Sequence, residues 1–509
     1  MVAIITEKFK LHNASQFTES FSESAASTYY MFIGKSTEFN STNDGTGASD
    51  TTPPTPLDSV SDEFYFWDQM IAAKKIASSD VVNCVPRRDW SNSTTFDMYR
   101  DNYSSVNTTD SGASTLYNST FYFRTSANRV YKVISNIPVG ANTSAAAFSG
   151  SEPSTEGTSL FTVGGYVLKY MYTISASNAT KFLTTDFMPV ETDSTVSAAA
   201  TDGAVESLRV TNVGSGLTDG TYYAAIYGDG SNAGTSSGAI ARIVISSNQI
   251  QAFGTVASTT SGVHTAGSGY TFGTINLASG FTFSDATLST AAAIGGSGSA
   301  IDVIISPKGG HGSDAVKELG AHYAMINTTF SGAESDDILA GNDFRNVGIV
   351  VDPTNFGSST VATASTARQV YALKFASVSG TFTPDEKITQ ASTGAVGKVV
   401  EYDSSNLILY YQQERHADFG TGANSTTGSY VAFSGANAVT GATSSAAATP
   451  DATADSAVTL TNSSTITFTD GYANPELAYD SGDIIYKENR RPISRATDQT
   501  EDIKIIVEF

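Results

Sequence analysis

The sequence predicts a mainly β protein, and three observations carry that reading. Short runs of Val, Ile, Tyr and Phe alternate with polar residues and stop at Gly, Asn, Asp or Ser clusters, the pattern of strands joined by turns. Long stretches with a 3.6-residue apolar period are scarce. Glycine is abundant, with 44 in 509 residues, and Ser, Thr and Ala fill much of the rest.

In chain order, the first expected element is a helix over residues 15–24, where Phe17 and Phe21 lie four apart on one face. Residues 29–33 form an apolar run closed by Gly34 and read as a strand. Residues 60–76 read as a second helix, because Val60, Phe64, Trp67 and Ile71 fall on one stripe. Ser59 with Asp62 offers its N-cap, and Pro53, Pro54 and Pro56 hold the approach extended. Residues 129–134 and 166–174 alternate as strands. So do the last residues, with Ile503, Ile505, Val507 and Phe509 on one face and Asp502, Lys504, Ile506 and Glu508 on the other. Such a final strand ties the C-terminus into a sheet.

Between about 200 and 310 the composition shifts to Gly, Ser, Thr and Ala, and a repeat emerges. GSGLTDGTY at 214–222 recurs as GSGYTFGTI at 267–275, and GAIARIVIS at 238–246 recurs as GSAIDVIIS at 298–306. Two copies of a turn-strand-turn-strand unit make a small β-domain, since a solenoid needs about three or more. From about 372 to 470, residues 382–390, 394–403 and 406–411 read as successive strands. The Ala/Thr/Gly/Ser stretch over 420–456 reads as long loops or a loose β-excursion.

The formal net charge of −22 repels phosphate backbones and argues against nucleic acid as a direct partner. The single cysteine, Cys84, excludes a disulfide within the chain and fits synthesis in a reducing cytoplasm. The N-terminus lacks the pattern of a signal peptide, and no run is long enough for membrane insertion as a helix.

Patterns that carry chemistry are few. The five histidines form no HExxH or HxH motif, and one cysteine excludes thiolate zinc sites, so no metal or cofactor is expected. No GxSxG elbow exists. The glycine-rich 228–234 segment lacks a following helix and reads as a hairpin turn, not a phosphate cradle. Gly309-Gly310-His311-Gly312 reads as a tight turn whose His packs locally, although Asp314 and Glu318 lie near it in sequence. Asp336-Asp337 reads as a solvated loop. Two charged clusters stand out in a chain poor in basic residues. One is Arg87, Arg88, Asp89 and Trp90; the other is Glu488, Asn489, Arg490 and Arg491, followed by Arg495 and Asp498. Arg paired with Asp or Glu can clamp loops or bridge subunits, or simply form an internal ion pair beside a sheet.

Those clusters also carry a resemblance. The C-terminal segment 481–506 (SGDIIYKENRRPISRATDQTEDIKII), the segment 53–60 (PPTPLDSV) with the helix after it, PRRDW at 86–90, and AIITEKF at 3–9 resemble the gene product eight family of T-even-like contractile-tailed phages, a baseplate wedge subunit. Weaker likenesses lie at 130–133, 156–158, 165–170 and 343–353. The resemblance implies a layered antiparallel β-sandwich core with two short helix-bearing loops, a homodimer, contacts to other baseplate wedge proteins, and no catalytic or cofactor residues. It places the protein in the virion, at the tail baseplate, after synthesis in the host cytoplasm. The organisation expected from it is a core split over 1–195, 313–371 and 471–509, with inserted β-domains at 196–312 and 372–470. The alternative is a tail carbohydrate-binding adhesin or polysaccharide depolymerase, suggested by the Gly/Ser/Thr-rich repeat and the supply of Tyr and Phe.

Overall fold

A computed structural model describes residues 4–23, 27–42, 44–137, 144–251, 262–331, 343–413, 431–453, 457–460, 465–493 and 500–509. Among them the protein is mainly β, with several antiparallel sheets and five short helices. The chain divides into two compact units: Met1–Gln16, Val82–Met325 and Ile506–Phe509 form one, and Phe17–Val81 with Ile326–Ile505 form the other.

The second unit is built on a five-stranded sheet ordered Thr366–Arg368, Met70–Lys75, Tyr29–Gly34, Phe344–Val351, Asp483–Ile493. Tyr29–Gly34 runs near its middle, pairing Phe32 with Ala73 on one side and with Gly348 on the other. The 344–351 strand then pairs Val350 with Ile484. Strands from the first eighty residues and from the last thirty therefore lie in one sheet. Helix Val60–Gln69 packs on it: Phe66 and Trp67 join Tyr30, Phe32, Met70 and Val350 in a shared core, and the Phe32 and Phe66 rings meet edge-on at 6.2 Å.

The sequence reading extended that helix to residue 76. It stops at Gln69, and Met70–Lys75 is a strand. Met70 caps the helix in extended conformation (φ −62°, ψ 131°), and Met70-Ile-Ala-Ala is buried on both faces between two neighbouring strands. Ladder pairing there outweighs the helical continuation of the apolar stripe. Its start was legible: the Ser59 hydroxyl accepts from the Asp62 amide at 3.3 Å. The N-terminal helix is also displaced from its expected span, running Glu7–Ser20. Phe21 lies just past its end, packed between Phe17 and Tyr29 at 5.2 and 4.1 Å between ring centroids.

A seven-stranded sheet in the same unit holds its own core of Leu373, Phe375, Ile388, Val399, Leu409 and Tyr411. Its strands include Lys387–Gln390, Ala395–Asp403 and Ile408–Gln412, as the turn spacing predicts. The chain leaves and returns side by side, since Ala372 pairs with Ala473. Of the 420–456 stretch, 420–430 and 454–456 lie outside the described residues, and the rest carries two short paired strands, Val439–Gly441 and Ala447–Pro450, the β-excursion rather than loops throughout.

In the first unit, a four-stranded sheet is ordered Tyr122–Arg124, Arg129–Ser135, Tyr166–Thr173, Phe161–Val163. Tyr166–Thr173 is buried on both faces up to its last residue, so its alternation does not mark a solvent side. Farther along, Ser207–Leu217 pairs with Gly295–Ile304, from Ser207 opposite Ile304 to Leu217 opposite Gly295. The residues between form a six-stranded sheet over a separate aliphatic core of Leu208, Val210, Ile226, Ile243 and Ile245. In both copies of the Gly-Ser-Gly repeat the glycines adopt left-handed φ: +75° and +66° at 214 and 216, +62° and +74° at 267 and 269. The sequence repeat thus encodes a recurring left-handed glycine pair, inside strand Ser207–Leu217 in the first copy and in a connecting segment in the second. Among the described residues no helix is long and apolar enough to cross a membrane.

Candidate interaction sites

The Arg87–Trp90 cluster joins strand Val81–Pro86 to the loop after it. Arg87 donates through Nε to both Asp89 oxygens at 3.1 and 2.9 Å and through a terminal nitrogen to the Thr184 carbonyl at 2.7 Å. Arg124, from the neighbouring sheet, donates to Asp89 Oδ1 at 2.9 Å. Backbone bonds run the same way: Trp90 N–H to the Arg124 carbonyl, and Arg124 N–H to the Arg88 carbonyl. Arg88 lies 4.4 Å above the Tyr122 ring and donates to the Tyr117 carbonyl. Trp90 meets Phe148 edge-on at 5.7 Å. Burial alone would raise the Asp89 carboxyl, but the bonds from Arg87 and Arg124 outweigh it and hold it below the usual carboxylate range. The segment clamps one loop to the 122–173 sheet, and Asp89 remains nearly half exposed while doing so.

The second cluster lies on Asp483–Ile493, the outer strand of the five-stranded sheet. Asn489 donates to the Pro54 carbonyl at 3.1 Å, and Lys487 pairs with Asp62 at 3.1 Å, fixing the strand against the helix-bearing loop. Glu488 accepts from Tyr486 and faces Arg490 at 3.8 Å. Arg491 is exposed. Arg495 and Asp498 lie outside the described residues, as do Asp336 and Asp337. Leu57, Val60 and Ile485 are exposed nearby in the same two segments, and the Leu57 amide donates to Asp62, the partner of Lys487. The result is an outer strand bearing charges of both signs beside exposed apolar side chains, a surface chemistry suited to binding another protein.

A third site escaped the sequence reading. Lys132 and Glu318 form a fully buried ion pair, Nζ to Oε2 2.7 Å, and Lys132 also sits 4.0 Å from the Tyr99 ring centre. The other Glu318 oxygen accepts from the Gly312 and Asp314 amides at 2.8 and 3.2 Å. Buried Lys169 donates to the Thr158 carbonyl. Desolvation pushes both lysines below the usual amine range, against the pull of Glu318 and Glu206; desolvation likewise raises Glu206, against the pull of Lys169 and Lys132. Two lysines and two glutamates thus come together, and their formal charges cancel. They sit at the root of the 207–304 region, where Glu206 leads out and the 306–318 segment returns. His311 is enclosed here, its ring edge-on to Tyr99 at 4.9 Å and its Nδ1 without a hydrogen bond among the described residues. Desolvation, reinforced by Lys132 and Lys169, holds it well below the usual imidazole range. The flanking Gly309, Gly310 and Gly312 all have φ near +90°. A side chain at 310 would lie 2.6 Å from the Thr201 amide nitrogen, so glycine lets the turn lie against the Thr201 backbone. The sequence signal was the Gly-Gly-His-Gly string with Asp314 and Glu318 near it; Lys132 and Lys169 stand in strands read only as alternating.

Among the described residues no cluster of three His, Cys, Asp or Glu side chains could hold a metal ion. All three sites hold elements of the β scaffold together. The family model for Gp8 of bacteriophage T4 matches residues 3–147 and 452–509. Residues 148–451 lie outside that match. No curated protein matches the chain.

Proposed function

We propose that this chain is a structural, non-enzymatic subunit of a phage tail baseplate, of the wedge class to which Gp8 of bacteriophage T4 belongs. The observation that carries the reading is the coincidence of the two matched segments with one sheet: Tyr29–Gly34 and Met70–Lys75 come from the first, Asp483–Ile493 from the second, and the 344–351 strand joins them. Matches at opposite ends of a long chain gain weight when the ends build one scaffold.

On this reading the protein is a homodimer in the virion, made in the host cytoplasm, that links neighbouring wedge proteins. Baseplate rearrangement on infection then shifts contacts at its surfaces and leaves the sheets intact, because packed cores do not deform continuously. The charged outer strand 483–493 and the Arg87–Trp90 clamp supply contact and rigidity. The 207–304 region of the first unit and the 372–473 region of the second are insertions: each has its own core, and each leaves and returns through adjacent antiparallel strands.

The test is assembly. Light scattering should give a dimer, and cross-linking of purified virions should join the chain to other baseplate proteins. A monomer that cross-links to no tail component would refute the proposal.

A further inference from the structure

The buried charges at the root of the 207–304 region are placed for a reaction as well as for an ion pair. Lys132 lies on strand Arg129–Ser135 and Glu318 on helix Ala315–Leu319, and their side chains are 0% and 2% exposed. The contact of 2.7 Å between Nζ and Oε2 leaves the amine within about 4 Å of the carboxyl carbon, next to the near-attack range of roughly 3–3.5 Å. The carboxyl group is held from its other side. Glu318 Oε1 accepts from the Gly312 and Asp314 amides at 2.8 and 3.2 Å, two backbone donors converging on one oxygen as they do in an oxyanion hole. The Tyr99 ring lies 4.0 Å from Nζ, and the enclosed His311 ring meets Tyr99 edge-on. Glu206 is partly buried and within electrostatic reach of both Lys132 and Lys169.

We propose that Lys132 and Glu318 condense to an intramolecular isopeptide bond, a covalent link between the 129–135 strand and the segment that returns from the 207–304 region. The step needs no oxidant or co-reactant. A proton passes from the Lys132 ammonium to Glu318 Oε2 along their hydrogen bond, leaving a free amine and a carboxylic acid. Nζ attacks the carboxyl carbon, an N–C bond forms, and Oε1 takes the negative charge while facing the Gly312 and Asp314 amides. Glu206 gives its proton to Oε2, the C–Oε2 bond breaks, and water leaves. The Glu206 carboxylate then takes the surplus proton from the nitrogen and is restored. Burial favours each reacting form, since it pushes Lys132 toward the free amine and Glu206 toward the acid. It also favours the product. An enclosed ion pair bears the desolvation of two charges, whereas the amide bears none and keeps its oxygen between the same two donors. Lys169 is not the nucleophile, because its amine donates to the Thr158 carbonyl and not to a carboxyl group. The bond joins residues 186 apart in sequence, so it restricts the unfolded chain as a long-loop disulfide would. The inference concerns the first unit alone and does not rest on the baseplate assignment.

The experiment is a peptide map of the full-length protein, denatured and digested with trypsin, with fragments identified by mass. The expected result is a branched fragment that joins 130–169 to 318–345, uncut at Lys132 and lighter than the two peptides together by one water. Lys132→Arg keeps the positive charge but has no amine to acylate, and should release 318–345 at its ordinary mass. Glu206→Gln removes the proton carrier, a contribution of about a hundredfold or more in rate, and should be recovered largely unlinked. Free 133–169 and 318–345 from a parent protein that unfolds cooperatively would overturn the proposal. A linked fraction unchanged in Glu206→Gln would overturn the part given to Glu206.

Discussion

At the scale of single residues, what decides behaviour is burial of charge. His311 stays neutral in the folded protein because desolvation, Lys132 and Lys169 all oppose its protonation. The unfolded chain takes up that proton near pH 6.5, so below this pH the unfolded state binds more protons than the native one. Stability should therefore fall as pH drops through 6.5, by about 1.4 kcal/mol per pH unit for this one group. Glu206, raised by burial, acts in the opposite direction, because the native state holds its proton over a range where the unfolded chain has lost it. Comparing His311→Phe with the parent isolates the histidine: urea unfolding between pH 6.5 and 5 should show a flatter loss in the variant. An unchanged slope would mean the imidazole titrates normally.

The Lys132–Glu318 pair makes a second prediction at this scale. Lys132→Met strands a buried carboxylate and should cost about 3–5 kcal/mol. Adding Glu318→Gln neutralises that charge while leaving an oxygen to accept from the Gly312 amide, so the double variant should recover a substantial part. Equal destabilisation of both variants in urea would contradict this. Glu318 was visible only as an acid near His311, and its pairing with Lys132 was not legible in sequence. Lys132 occupies a regular position in an alternating strand, and only the return of residues 311–318 over the sheet removes it from water. Cys84 is buried, and burial pushes its thiol up to about 12, so it is a packing residue that chain-wide cysteine counting could not distinguish from a reactive one.

At the scale of elements, strand signals were clear and helix limits were not. Tyr29–Gly34, Arg129–Ser135, Tyr166–Thr173 and Thr500–Glu508 fall where an apolar run or alternation places them, although only the last alternates in burial and the other three are buried on both faces. The C-terminal strand even shows the expected sides, with Ile503 and Ile505 buried and Asp502 and Glu508 exposed. The helix from Val60 failed at its far end because Met70-Ile-Ala-Ala satisfies either period, and its neighbours in the sheet, more than 250 residues away in the case of 366–368, decide between them. The same sheet fixes Gly348 tightly: a methyl group there would collide with the Phe32 ring and lie 2.6 Å from the Tyr486 carbonyl oxygen. Gly348→Ala should cost about 1–3 kcal/mol through overpacking. A variant with an unchanged urea midpoint would show that the three strands are less closely apposed.

At the scale of the molecule, the sequence exposed the composition break at about 200 and the repeat inside it. It could not show that each Gly/Ser/Thr-rich region closes at its base by an antiparallel pair, which depends on long-range register. That register makes a direct prediction. Val210 lies opposite Ile301, so replacing 211–300 by a short Gly-Asn turn joins strands that are already neighbours. The shortened chain should remain folded, with the Arg100–Asp302 and Arg209–Asp110 ion pairs at the root retained. If it aggregates or loses cooperative unfolding, the region is an integral part of the fold and not an insertion.

The central claim is that the two ends of the chain build a scaffold that binds baseplate neighbours. A reconstruction of the isolated virion tail tests it most directly. The account predicts this chain at the baseplate, touching other tail proteins chiefly through residues 3–147 and 474–509 and not through 207–304 or 372–473. Density that places the chain away from the baseplate, or attaches it only through 207–304 and 372–473, would contradict it.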